Sequence, residues 1–241
     1  MTDAADDVTR NGIRIHERET IRTGRYAMAG VEPSHASRIW IVLHGYGQLA
    51  PRFLRPFEGI IPADTCVVAP EGLSRFYLEL PRVDGGHLQR VGATWLTRES
   101  RDTEIADAHR WLDGVHDDVV GASWRARGMA PTIGVLGFSQ GVATAMRWVA
   151  SGTVHVRCFV AWAGGLAQDV NPSAFRDKIS AADLVLVAGD RDGFATETAR
   201  EKIREEFATL HDAPREITFD GEHHLDATVL SSLLSEYPRA R

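Results

Sequence analysis

Five short apolar runs recur along the chain, at residues 39–43, 66–69, 133–136, 158–161 and 184–188. Each is rich in Val, Ile or Leu at successive positions. Successive side chains of a strand point to opposite faces, so such runs describe strands buried on both sides, in a parallel sheet covered by helices. Residues 216–219 alternate polar and apolar and fit a strand at the sheet edge. Residues 13–18 and 22–28 predict two weaker, more polar strands, antiparallel to their neighbours. Between the runs the period lengthens. Ile105, Ala108, Leu112, Val115 and Val119 recur at three and four, predicting an amphipathic helix over 102–120. Further helices are expected over 139–150, from 196 (Ala199, Ile203, Phe207, Leu210) and from 226 (Val229, Leu230, Leu233, Leu234). Strands alternating with helices give a three-layer α/β fold with a mostly parallel central sheet. No repeat, low-complexity tract or Pro/Gly-rich linker divides residues 1–241, so a single domain is expected. Residues 70–98 keep no sustained period yet hold Leu73, Phe76, Tyr77, Leu78, Leu80 and Trp95. They are expected to form a long irregular loop, either a lid or pocket wall or plain surface packing.

Composition narrows the function classes. Of 241 residues, 44% are hydrophobic and 25% charged, an ordinary globular profile, and the formal charge of −6 gives no global basic field for nucleic acid. The acidic first residues do not resemble a signal peptide, and no apolar run approaches the ~18 residues of a membrane span. A cytoplasmic protein without stable membrane insertion is the expectation. Cys66 and Cys158 each lie in an apolar run and read as buried thiols rather than a bridge.

Candidate chemistry sits at the ends of the runs. Gly137-Phe138-Ser139-Gln140-Gly141 follows the run 133–136 and opens a helix. A Gly-x-Ser-x-Gly sequence at a strand-to-helix turn reads as a nucleophile elbow, with glycines for close strand–helix approach and the Gln140 N–H free to bind an oxyanion. Serine needs a general base oriented by a carboxylate. Gly189-Asp190-Arg191-Asp192 follows one later run, and Asp220-Gly221-Glu222-His223-His224 follows another, in the order Ser, Asp, His. Asp192 is preferred over Asp190, which directly follows the strand and suits a turn. His223 is preferred over His224, which leads into the last helix. His44-Gly45-Tyr46-Gly47 follows the first buried run, and its Tyr46 N–H is the expected second oxyanion donor; His44 reads as a brace for the loop, not a base. Phe76, Tyr77, Trp95 and Trp162 are expected to line a substrate pocket. His223, His224 and Asp226 lack the spacing of a metal site, and no dinucleotide or phosphate-loop fingerprint is present. No metal is therefore expected.

These residues resemble the carboxylesterase/phospholipase family of α/β-hydrolases, which includes acyl-protein thioesterase-like enzymes. The matching pieces are Leu43 to Gly47, Ala93-Thr94-Trp95, the elbow, Gly189 to Asp192, and Phe219 to His223. The resemblance implies a cofactor-free serine esterase of α/β-hydrolase fold acting on a small-molecule ester. Ser139 would be the nucleophile, His223 the base, Asp192 the orienting acid, and Tyr46 and Gln140 the oxyanion donors. A carboxylesterase, monomeric or homodimeric, is the leading expectation. A lysophospholipase or acyl-thioesterase with the same triad is the alternative, and a non-catalytic receptor on the same fold the remote one.

Overall fold

The computed structural model describes residues 14–81, 87–194, 197–211 and 214–237. Its centre is a seven-stranded sheet built from β1 (Tyr26–Gly30), β2 (Arg38–Leu43), β3 (Thr65–Pro70), β6 (Thr132–Phe138), β7 (Cys158–Trp162), β8 (Asp183–Gly189) and β9 (Arg215–Phe219). Spatial order is β1-β3-β2-β6-β7-β8-β9; β1 pairs antiparallel with β3 and every other pair is parallel. All five apolar runs fall within β2, β3, β6, β7 and β8. Alternation along β2 shows why they had to be continuous. Ile39, Ile41 and Leu43 join one buried cluster with residues of α2 (Arg101–Arg127), α3 (Gln140–Ser151), α4 (Pro172–Ile179) and α5 (Glu197–Ala208). Trp40 and Val42 enter a second cluster with α1 (Ala50–Phe53) and α6 (Ala227–Glu236). Helices thus cover both faces. Among the described residues, no helix is long and apolar enough to cross a membrane. Cys66 and Cys158 are buried free thiols; burial pushes the Cys66 thiol up to about 12.

Four expectations need correction. Residues 14–18 form no strand, and Ile13 lies outside the described residues; the segment is exposed and has no apolar face to bury. The strand expected over 22–28 is confined to Tyr26–Gly30, where Ala27 and Ala29 pack inward. The helix expected over 102–120 continues to Arg127, because its buried stripe ends in a serine. Ser123 is fully buried and donates to Ala36 O at 2.9 Å, and Gly128 (φ 68°) then closes the helix. Residues 70–98 are not an irregular loop. They hold an antiparallel hairpin, β4 (Ser74–Pro81) and β5 (His87–Thr94), separate from the main sheet. Two helices, α1 and α4, were not anticipated. Asn171 accepts from Ser173 N and Ala174 N, Pro172 opens the first turn, and Phe175 and Ile179 bury one face of α4.

Candidate active site

The carboxyl ends of the parallel strands gather the sequence-identified residues on one edge of the sheet. Ser139 links β6 to α3 with φ 53° and ψ −119°, a backbone conformation that L-residues rarely occupy. Its flanking glycines permit the turn. A Cβ on Gly141 would stand 2.2 Å from Leu43 O, and one on Gly137 would stand 2.5 Å from Val142 Cα. The elbow is held by the Ser139 N–H donating to Trp162 O at 2.8 Å.

His223, after β9, donates from Nδ1 to Asp192 Oδ2 at 2.7 Å. That bond leaves the Nε2 lone pair free. The Asp192 side chain has no exposed surface, and its other oxygen accepts from Phe194 N at 2.8 Å. The His223 ring lies between two aromatic rings, Phe138 of the elbow and Phe194 of the β8 loop, each 4.9 Å from it by centroids. The histidine therefore sits directly beside the serine-bearing turn. Among the described residues the Ser139 hydroxyl forms no hydrogen bond; such contacts commonly tighten only with substrate in place. Asp190 is committed elsewhere, with its Oδ1 accepting from Gly221 N at 3.0 Å and so shaping the histidine loop. The His224 ring packs on Phe219 instead, 5.3 Å away.

Among the described residues, the Tyr46 and Gln140 backbone N–H groups find no acceptor, whereas the glycines flanking Tyr46 do. Gly45 N donates to Gln48 Oε1 at 2.7 Å, and Gly47 N donates to Ala93 O at 2.8 Å. Together with Ala93 N donating to Gln48 O, the latter bond forms an antiparallel bridge that ties the Tyr46 loop to β5. The Gln140 side chain locks the other donor to the same strand end. Its Nε2 donates to Thr94 Oγ1 (2.8 Å) and Leu96 O (3.2 Å), while its Oε1 accepts from Trp95 N at 3.3 Å.

His44 is fully buried, its Nε2 accepting from Gly72 N at 3.0 Å and its Nδ1 donating to Gly45 O at 2.8 Å. Burial lowers its pKa to about 4, against which Gly45 and Glu71 act only in part. The ring is neutral at pH 7, as a brace should be. Glu71 beneath it is also fully buried. Burial pushes its carboxyl up, but hydrogen bonds from Arg25, Arg75 and Ala50 N outweigh that and hold it below the usual range.

Three of the four expected pocket residues are placed otherwise. Trp95 is buried under the Tyr46 loop, stacked on His44 at 4.9 Å and donating from Nε1 to His44 O at 2.8 Å. Trp162 has no exposed surface and donates to His224 O at 3.0 Å, plugging the floor of the histidine loop. Tyr77, 70% exposed, lies on the outer face of the hairpin, since neighbours on a strand point oppositely. Phe76 points inward and meets the Tyr46 ring at 5.0 Å. Phe194, 85% exposed and covering His223, was not anticipated, because nothing in its local sequence shows that contact. Among the described residues no group of three His, Cys, Asp or Glu side chains could hold a metal ion.

Known proteins share this fold. Solved structures that superpose on the chain include the esterase PE8 (20% identity, TM-score 0.57, covering 89% of this chain and 99% of that one). The acyl-protein thioesterase 2 of Zea mays superposes with 14% identity and a TM-score of 0.61, over 89% of this chain and 97% of that one. A phospholipase/carboxylesterase from Dyadobacter fermentans does so with 14% identity and a TM-score of 0.59, over 90% and 99%. At these identities the likeness is one of fold, the α/β-hydrolase fold. No curated protein sequence matches the chain. The family model described as serine hydrolase (FSH1) matches residues 79–228, a span that includes the elbow and the loops bearing Asp192 and His223. The chain belongs to the FSH1 serine hydrolase family.

Proposed function

We propose that this serine hydrolase is a carboxylesterase that hydrolyses small-molecule carboxylic esters through an acyl-enzyme on Ser139. The observation that carries the reading is the buried Asp192–His223 bond of 2.7 Å, whose histidine ring packs on the residue preceding the strained serine. With Nδ1–H committed to Asp192, His223 Nε2 takes the Ser139 proton as Oγ attacks the ester carbonyl. The carbonyl oxygen becomes an oxyanion and accepts from Tyr46 N–H and Gln140 N–H, the latter at the positive end of α3. Collapse of this intermediate breaks the bond to the leaving oxygen, which takes its proton from His223. Water, deprotonated by the same nitrogen, attacks the acyl carbonyl and frees Ser139 and the acid. Tyr46, Phe76 and Phe194 give the reacting centre an aromatic rim suited to an apolar acyl or alcohol portion.

An acyl-thioesterase is the second reading. The triad does not distinguish a leaving oxygen from a leaving sulfur, and one solved structure of the same fold bears the name acyl-protein thioesterase 2. Fluorophosphonate labelling, with p-nitrophenyl esters and acyl thioesters assayed side by side, tests both. Ser139→Ala should fold, resist labelling and lose hydrolysis by several orders of magnitude, on the scale of triad removal. Retained ester hydrolysis in the purified variant would refute the mechanism. Faster turnover of matched thioesters would move the assignment to the second reading.

A further inference from the structure

The β4–β5 hairpin carries a cation on the face that it turns toward the oxyanion loop. Register sets Arg90 directly opposite Leu78 and Phe76 directly opposite Gly92, so these four positions share one face. Three contacts fix that face against the site. Phe76 meets the Tyr46 ring, Leu78 lies 3.0 Å from where a Cβ of Gly47 would stand, and a Cβ on Gly92 would stand 2.6 Å from Gly47 O. Arg90 is two residues from Gly92, about 7 Å along the strand. Arg75, Tyr77, Glu79, Gln89 and Val91 alternate onto the other face, so the nearest acid in sequence register, Glu79, points away.

Arg25 and Arg75 are ion-paired with Glu71, and Arg101 and Arg147 with Asp169. The Arg90 side chain forms no hydrogen bond or ion pair among the described residues, and its Nε is buried without a partner. Its cross-strand and diagonal neighbours on that face, Leu78 and Phe76, are apolar. A guanidinium with Nε enclosed has a restricted plane and offers its two Nη groups as a fork. An unpaired charge on an apolar wall is unfavourable unless something of opposite charge visits it.

We propose that Arg90 is a specificity-determining residue, and that the substrate is an ester or thioester bearing an anionic group, carboxylate or phosphate, separated from the scissile carbonyl by a short apolar spacer. The planar fork matches either anion in a bidentate manner, and the Tyr46–Phe76 pair occupies the interval where the spacer would lie. This inference rests on the ester-hydrolase reading above.

Two substrate arms distinguish the source of the anion. In the first, mono-p-nitrophenyl esters of dicarboxylic acids are compared with neutral p-nitrophenyl esters of matched length, placing a carboxylate on the acyl side. In the second, S-(3-phosphonooxypropyl) thioacetate is compared with S-(3-hydroxypropyl) thioacetate, placing a phosphate on the leaving group beyond a short alkyl spacer, with thiol release as the readout. The wild-type ratio of kcat/KM, anionic over neutral, should exceed one in one arm and fall as salt is raised. Arg90→Gln should lower that ratio by roughly 10- to 100-fold, chiefly through KM, as for a lost hydrogen bond to a charged group. Arg90→Lys should retain part of it. A wild-type ratio at or below one in both arms, or an unchanged ratio in Arg90→Gln, would overturn the proposal. Fluorophosphonate labelling of Ser139 runs alongside. Absence of labelling in the wild type defeats the ester-hydrolase reading itself, whereas labelling without anion preference defeats only the role of Arg90. If Arg90→Gln fails to fold, a salt-independent wild-type ratio suffices to refute it.

Discussion

Replacing Trp95 by phenylalanine isolates the support of the oxyanion loop from the catalytic residues themselves. The indole N–H is the donor to His44 O, at 2.8 Å and inside the core. Phenylalanine keeps a ring against His44 but leaves that carbonyl without its donor, a loss of about 1–3 kcal/mol for a buried group. The smaller ring also vacates about 40 Å³, which adds about 1 kcal/mol at the usual cavity coefficient. The expected destabilisation is therefore about 2–4 kcal/mol, or a Tm lower by roughly 4–16 °C for a chain of this size. Function should suffer separately, because His44 leads directly into Gly45-Tyr46-Gly47. Losing an oxyanion donor outright lowers kcat by about 10²–10³-fold, so a displaced donor should lower it by about tenfold or more, with KM little changed. Urea unfolding and p-nitrophenyl acetate kinetics, recorded well below the variant's Tm, measure the two effects. Destabilisation under about 1 kcal/mol together with an unchanged kcat would refute the bracing role and reduce Trp95 to a space filler.

Two further outcomes are expected. Asp192→Asn should cut kcat by about 10⁴-fold, since the amide no longer fixes the His223 tautomer, whereas Asp190→Asn, which keeps an oxygen for Gly221 N–H, should stay within about tenfold; steady-state kinetics that rank the pair the other way would overturn the assignment. His44, at about 4 in the folded state and 6.5 when exposed, binds its proton more readily unfolded, so its contribution to stability is full above pH 6.5 and is lost as pH falls to about 4. The loss amounts to about 3 kcal/mol, and unfolding free energies of wild type and His44→Gln compared at pH 7 and pH 4 should show that part of the acid slope missing in the variant.

The parallel core was legible because burial on two faces leaves an unbroken apolar run, and β2, β3, β6, β7 and β8 each carry one. The hairpin was not, because its inner face places Gly92 and Arg90 where alternation would call for apolar side chains. The final turns of α2 were hidden by the buried Ser123, and α4 announced itself only through Asn171-Pro172 and the spacing of Phe175 and Ile179. In the site, strand-end position pointed to the segments bearing Ser139, Asp192 and His223, and the structure joins the last two by a hydrogen bond. It misled at Trp162, whose indole turns inward to His224 O, and it was silent on Phe194. Contacts such as Trp95 with His44, 51 residues apart, are tertiary and leave no local pattern.

The bridge between Gln48 and Ala93 makes the hairpin and the oxyanion loop one mechanical body. A graft of a foreign hairpin, intended only to change which substrates are accepted, would also reset the position of the Tyr46 amide and alter turnover on every substrate alike. Specificity and rate are therefore not independent engineering variables in this molecule. A transplant that keeps Gly92, Ala93 and Thr94 while varying the strand beyond Arg90 is the division at which they can be separated.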